Sequence, residues 1–314
     1  MQKFCGYEFR RDKRAQTITI HQESFVRAVL EKYGALNFKP VDTPMLVGAP
    51  SLEPWEGKAT DRATLDFMVF VGDLHWMTRT NPRLAFAAQD LSRFVNNPGP
   101  DHVAAARRVL AHLRQDPGKG LTYHGSDEVL NQSYPHRNTL IGMCDSGFSH
   151  KGEKAVSGCS VLLNGAAIFH VSRRQGTVSN TTTEAEVKAS ALVAEALSGI
   201  VPLVSEVLRA PHPSVRTFID NKGAKKQIES GTDTVASAPY LRSKSYCEDK
   251  IYSGLMWMDL VPGEENGADL GTKQVRDTAE FVKKDGIISG FKPFLFESAE
   301  VTRMLLNQAR GMNF

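Results

Sequence analysis

Two apolar runs in the second half of this chain each end on a carboxylate. Leu140-Ile141-Gly142-Met143-Cys144 runs into Asp145, and Val215-Arg216-Thr217-Phe218-Ile219 runs into Asp220. Runs of this length read as interior strands, where a charge is costly unless it is paired or binds metal. A third run, Leu255 to Val261, leads across Pro262-Gly263 to Asp269, and Glu186 opens a long helical stretch after the polar cluster Ser179-Asn180-Thr181-Thr182-Thr183. The pattern aims Asp145, Glu186, Asp220 and Asp269 at one end of a mixed α/β sheet, and these are the candidate catalytic and metal-binding residues. An all-carboxylate donor set suits Mg2+, with Mn2+ as a substitute, better than zinc. Two such ions about 4 Å apart can activate a water and neutralise the transition state of phosphodiester hydrolysis.

Glu184 competes with Glu186, because both open the same helix and a separation of two residues puts them on different faces. Glu186 shares its face with Ala189, Ser190, Val193 and Leu197, the side expected to meet the sheet, whereas Glu184 suits the helix N-terminus.

At 314 residues the chain is long enough for two domains. A hydrophobic content of 41% with 23% charged residues fits a soluble globular protein, and no apolar run is expected to span a membrane. The opening residues lack the pattern of a secretory signal, so an intracellular location, in a cytoplasmic particle or the nucleus, is expected. Cys5, Cys144, Cys159 and Cys247 have no CxxC spacing, which argues against a zinc site or a disulfide framework. A net charge of +3 permits a nucleic-acid partner without requiring one. Arg107, Arg108 and Arg114 on one helical stretch, together with Asn221, are the candidate nucleic-acid contacts.

Residues 4 to 20 alternate as a β-hairpin, Gln22 to Tyr33 forms an amphipathic helix stopped at Gly34, and the proline-rich segment from Lys39 to Gly57 reads as a connector. Helices then follow at Asp61 to Phe94 and Asp101 to Leu113, with a strand at Gly118 to Tyr123 and a linker at 126–138. The next domain, 139–280, reads strand, strand, strand, long helix, strand, short helix, strand, and a last helix from about Asn266; a tail occupies 281–314.

Taken together, these segments resemble the RNase H domain of copia-type retrotransposon polyproteins. Cys144-Asp145-Ser146-Gly147 is similar to the first-strand motif of that family, Thr183-Glu184-Ala185-Glu186-Val187 to its helix-opening motif, and Ile219-Asp220-Asn221 to its Cys-Asp-Asn motif. The stretch from Ser157 to Ile168 looks like its second and third strands, and that from Val261 to Lys273 like its closing signature. Upstream, Phe4 to Phe9 resembles the primer-contacting hairpin of the family's reverse transcriptase; Lys39 to Met45 resembles the segment that follows, and Leu91 to Phe94 with Ala105 to Leu110 the thumb-side helices.

The resemblance implies an RNase H-like five-stranded mixed sheet with flanking helices. Ahead of it, residues 1–125 would form a mainly helical thumb or connection-like domain with a β-hairpin. It implies metal-dependent cleavage of the RNA strand of RNA/DNA hybrids, with Asp145 and Asp220 binding or bridging two Mg2+ ions, Glu186 holding one, and Asp269 completing the second. The partners implied are the hybrid and the missing fingers and palm of the polymerase, whose tandem aspartates have no counterpart, since no Asp-Asp pair occurs in the chain.

The chain departs from the family between Arg242 and Val261, where Ser245 replaces a histidine and a shortened helix is expected, and at Asn81-Pro82-Arg83, where Arg-Pro-Asp is typical. These departures leave a second reading, a catalytically inactive retroelement fragment that only binds nucleic acid.

Overall fold

Alternation at the N-terminus produces strands, and their pairing recruits a distant fourth. The computed structural model describes residues 2–49, 51–126, 138–148, 152–233, 235–275 and 277–291. Strands β1 (Gln2–Phe4), β2 (Tyr7–Asp12), β3 (Thr17–His21) and β4 (Leu121–His124) form an antiparallel sheet in that order. Between β3 and β4 lie helices α1 (Glu23–Lys32), α2 (Asp61–Met77), α3 (Ala85–Ser92) and α4 (Pro100–Gln115). The Thr60 hydroxyl caps α2 by accepting from the Ala63 amide, and Pro100 starts α4 where a missing N–H is harmless. Val26, Leu30, Phe70, Leu74, Leu84, Leu91, Val109 and Leu113 meet in one buried cluster among these helices. Each such side chain contributes about 1.5–3 kcal/mol when fully buried.

The second sheet has the order β7-β6-β5-β8-β9, built from β5 (Leu140–Gly147), β6 (Val156–Leu163), β7 (Ala166–Arg174), β8 (Val215–Ile219) and β9 (Met256–Leu260). β5 pairs antiparallel with β6, and β6 with β7, while β8 runs parallel to both β5 and β9. Both faces of β5 are covered, which explains its unbroken apolar run. Leu140 and Cys144 face α5 (Thr182–Leu208), whereas Ile141 and Met143 join Leu121 of β4 with Phe281 and Ile288 of α8 (Thr278–Ser289). A Cβ on Gly142 would lie 3.1 Å from Val193 Cγ2 and 2.9 Å from Thr217 Oγ1, so glycine there allows α5 to pack closely on the strand.

Helices α6 (Lys222–Glu229) and α7 (Leu241–Tyr252) complete the fold around β8 and β9. The helix expected to be shortened is present over 12 residues, anchored by buried Cys247 and by fully buried Lys244, which pairs with Glu248 at 2.6 Å and Asp233 at 2.9 Å. Arg216 and Asp259 form a buried pair that ties β8 to β9.

Three further expectations change. α5 is long and apolar enough to cross a membrane by length and composition, with a mean hydropathy of 1.7 over its best window. Here its Ala185, Ala189, Val193 and Leu197 stripe covers the sheet instead. No regular helix begins at Asn266; two 3-10 turns, Gly263–Glu265 and Gly267–Gly271, precede α8. The boundary expected at 280/281 falls inside α8, whose Phe281, Ile287 and Ile288 are buried in the core. The expected linker lies outside the described residues from 127 to 137, as does the expected tail from 292 onward.

The two sheets share more than the chain between them. The Tyr123 hydroxyl donates to the Ala167 carbonyl at 2.7 Å, and His124 Nε2 donates to the Gly290 carbonyl at 2.7 Å. Fully buried Asp285 of α8 pairs with Lys119, and its carboxyl is held below the usual range: burial opposes this, but Arg83 and Lys119 prevail.

Candidate metal centre

Asp145 sits on β5 directly opposite Gly158 of β6, and Asp220 immediately follows the neighbouring parallel strand β8. Parallel neighbours end at the same edge, so two separate apolar runs deliver two carboxylates to one place. Asp269 arrives from a 3-10 turn laid across β5 and β6. Asn266 fastens that turn: its Nδ2 donates to the Cys144 carbonyl at 2.9 Å, and its Oδ1 accepts from the Ala268 amide at 3.2 Å. The turn lies this close because β6 carries glycine at 158, where a Cβ would stand 2.5 Å from the Ala268 carbonyl oxygen and 2.6 Å from Thr272 Cγ2.

One carboxylate oxygen from each of Asp145, Asp220 and Asp269 lies within 4.8 Å of the others. Glu186 stands beside this triad on the first turns of α5, only 5% exposed, and its Oε2 is buried without a hydrogen-bond partner among the described residues. Glu184 has the other role: its carboxylate accepts from the Asn180 amide at 2.9 Å and from Lys188 Nζ at 2.7 Å, while Thr181 Oγ1 caps the helix by accepting from the Glu184 amide at 3.1 Å.

Burial and mutual repulsion control the ionisation of this cluster. Burial first, then the charges of Asp269 and Asp220, push Asp145 up to about 8. Burial with the charges of Asp145 and Asp220 pushes Glu186 up to about 9. Asp220 is raised by burial and by Asp269. Asp269 is the exception: burial opposes its charge, but a hydrogen bond with Asp145 and the ammonium groups of Lys273 and Lys284 hold it below the ordinary value. Such a cluster favours a cation, because a divalent ion would relieve both the repulsion and the burial penalty. The donor chemistry and the orphaned Glu186 oxygen fit Mg2+ or Mn2+.

Three residues at the site had no role assigned from sequence. Asn266 fastens the turn, and the Thr272 hydroxyl contacts Asp145 Oδ2. Lys284, wholly buried on α8, contacts Asp269 Oδ2. Lys273, the last residue of the closing segment, lies 2.8 Å from Asp269 Oδ1 and 3.6 Å from Asp145 Oδ2.

The expected nucleic-acid residues are placed elsewhere. Arg108 Nη2 donates to Thr43 Oγ1 at 2.9 Å, Arg114 Nε donates to the Leu36 carbonyl, and Arg107 lies 5.1 Å from the centre of the Phe38 ring. Arg108 ties the connector to α4, Arg107 and Arg114 hold the residues just before it, and none contacts the carboxylates in the described residues. Asn221 caps α6 by accepting from the Ala224 amide at 2.9 Å. A groove of about 740 Å³ beside the centre is lined by Arg173, Arg174, Lys188 and Arg242 together with the acidic Glu195 and Asp249, a mainly basic surface that single-element charge counting did not assemble.

A sheet of this strand order, with acids on its first and fourth strands, on the intervening long helix and on the closing turn, is the RNase H fold with a carboxylate cluster. The chain is a distant homologue of the copia-type retrotransposon Pol polyproteins. It is 31% identical over 191 residues to the retrovirus-related Pol polyprotein from transposon TNT 1-94 of Nicotiana tabacum, covering 59% of this chain and 14% of that protein. It is 26% identical over 288 residues to the Pol polyprotein from transposon RE2 of Arabidopsis thaliana, covering 91% of this chain and 19% of that protein. The chain thus spans between 14% and 19% of the length of these relatives. LC11-RNase H1, solved in complex with an RNA/DNA hybrid, is 16% identical with a TM-score of 0.35, over 45% of this chain and 99% of that one. No family model matches the chain.

Proposed function

We propose that this chain is a divalent-metal-dependent endonuclease that hydrolyses the RNA strand of RNA/DNA hybrids, as the reverse transcriptase and RNase H portion of a copia-type polyprotein. The observation that carries the reading is the convergence of Asp145, Asp220 and Asp269 within 4.8 Å, with Glu186 beside them, one of whose carboxylate oxygens is buried without a hydrogen-bond partner among the described residues. Residues 1–125 would belong to the end of the reverse transcriptase, a reading supported by an alignment with the RE2 polyprotein that covers 91% of this chain.

When bound, Mg2+ supplies water activation and charge neutralisation at the scissile phosphate. Asp145, Asp220 and Glu186 would hold it, with Asp269 and its lysines closing the cluster. The chain does the rest. Asn266 and Thr272 hold the closing turn in register with β5, and the groove carrying Arg173, Arg174, Lys188 and Arg242 offers phosphate contacts leading to the centre.

The test is cleavage of a labelled RNA/DNA hybrid by the purified chain with Mg2+ or Mn2+, beside Asp145→Asn and matched RNA and DNA duplexes. Cutting confined to the RNA of the hybrid, and lost in the variant, is expected. Absence of cutting by a folded, metal-supplied protein that still binds hybrid would select the inactive, binding-only reading.

A further inference from the structure

Lys284 belongs to none of the motifs that mark the site, and its side chain is wholly buried. Its ammonium contacts Asp269 Oδ2 and lies 2.5 Å from Glu280 Oε1 one helical turn back. Lys273 reaches the other oxygen of Asp269, at 2.8 Å from Oδ1. Both oxygens of Asp269 therefore already face a cation. Glu186 Oε2 is buried with no hydrogen-bond partner among the described residues, as is Asp269 Oδ1, but only the Asp269 oxygen has an ammonium beside it.

The two lysines differ in freedom. The Lys273 side chain is 47% exposed and can swing into solvent, whereas that of Lys284 has no exposure and is braced by Glu280. The helix that carries Lys284 is itself fixed, because the next residue, Asp285, pairs with Lys119 across the contact between the two sheets. An ammonium in this position cannot be rehydrated without moving α8, and a divalent ion within a few ångströms of it would be repelled twice as strongly as a second ammonium.

We propose that Lys284 is a built-in cation that takes the place of one divalent ion, so that the centre binds a single Mg2+ or Mn2+ against Asp145, Asp220 and Glu186. Asp269 then acts as the bridge between the lysines and the Asp145 side of the centre, and Lys284 is a positioning residue. The proposal rests on the metal-dependent reading above.

The experiment is Mn2+ stoichiometry on the full chain, with free Mn2+ followed by electron paramagnetic resonance, for the wild type and Lys284→Gln. One ion per wild-type chain and two per Lys284→Gln chain is the expected result. Two ions in the wild type would overturn the assignment and leave metal-dependent cleavage standing. One ion in both proteins would also overturn it, because Lys284 would then not be what excludes the second. No binding by either folded protein would instead remove the metal-dependent reading itself. A wild-type count of two overturns the assignment even if Lys284→Gln fails to fold, and in that event Lys284→Met carries the variant arm of the test.

Discussion

Asp145 and Gly158 face each other across the β5–β6 pair, and the missing side chain at Gly158 is what allows Asp269 to close on Asp145. Gly158→Ala places a methyl 2.5 Å from the Ala268 carbonyl oxygen, a backbone atom that can yield only by moving the whole closing turn. Such overpacking costs about 1–3 kcal/mol. We expect urea unfolding to show that loss, and hybrid cleavage to fall at least tenfold as Asp269 is displaced. Unchanged cleavage would show that the turn tolerates the shift.

Glu184 and Glu186 should separate stability from activity. Glu184→Ala removes the carboxylate that holds the Asn180 amide and Lys188 at the helix start, which costs about 1–3 kcal/mol, and cleavage should persist once the protein is folded. Glu186→Gln fixes the neutral form that burial and repulsion already favour in the metal-free protein, so stability should hold or rise while Mn2+ affinity and cleavage fall together. Thermal melts and metal titrations on both variants check this, and the reverse pattern would exchange the two assignments.

The metal-free protein should lose stability as pH rises. Asp145 and Glu186 have ordinary values of 3.8 and 4.5 and are pushed up to about 8 and 9 in the fold. Their stabilising contribution is complete below the ordinary values and disappears as pH climbs through the folded ones. The melting temperature in chelator should therefore fall between pH 5 and pH 9, less so in Glu186→Gln. Mg2+ should stabilise most at the alkaline end, where its ligands are ionised. Asp269, shifted down, loses its contribution only below its ordinary value of 3.8, outside this window.

The pairing of Asp285 with Lys119 predicts that the two sheets unfold together. Asp285→Ala leaves Lys119 without its partner and removes a charge facing buried Arg83, whose guanidinium is pushed down by burial and sustained by Asp285. Breaking a buried pair from one side costs about 3–5 kcal/mol. Hydrogen exchange should show β4 and α8 opening together in the variant; loosening of one alone would argue against the coupling.

The groove beside the centre predicts where hybrid binds. Arg173→Glu with Arg174→Glu should weaken hybrid affinity uniformly across sequences and flatten its salt dependence by roughly one unit of slope for each phosphate left without a neutralising arginine. Arg107→Glu, on the helix that clamps the connector, should change affinity little. Binding titrations at several salt concentrations distinguish the two surfaces.

Asp145 and Asp220 were legible from local sequence because interior strands of a parallel pair are apolar throughout, which makes a terminal acid conspicuous. Glu186 could be told from Glu184 for a similar reason: on a helix, two residues apart means two different environments. The apolar face of α5 and the succession of elements along the chain followed from the same periodicities. What local pattern could not supply was the path of the segment after β9. It forms 3-10 turns rather than a helix because Asn266 is bonded to the Cys144 carbonyl, 122 residues away in sequence.

The sequence by itself determined the elements, the strands that carry acids, and the likeness to the retroelement enzymes, because each rests on spacing within a few residues. Only the tertiary structure decided which charges meet. Lys284 reaches Asp269, and Arg173, Arg174 and Arg242 come to line one groove, through packing of elements far apart in the chain. The arginines of α4 are instead taken up by the connector and the residues just before it. Electrostatic partnership depends on distances of a few ångströms in space, and neither residue type nor local periodicity encodes those distances.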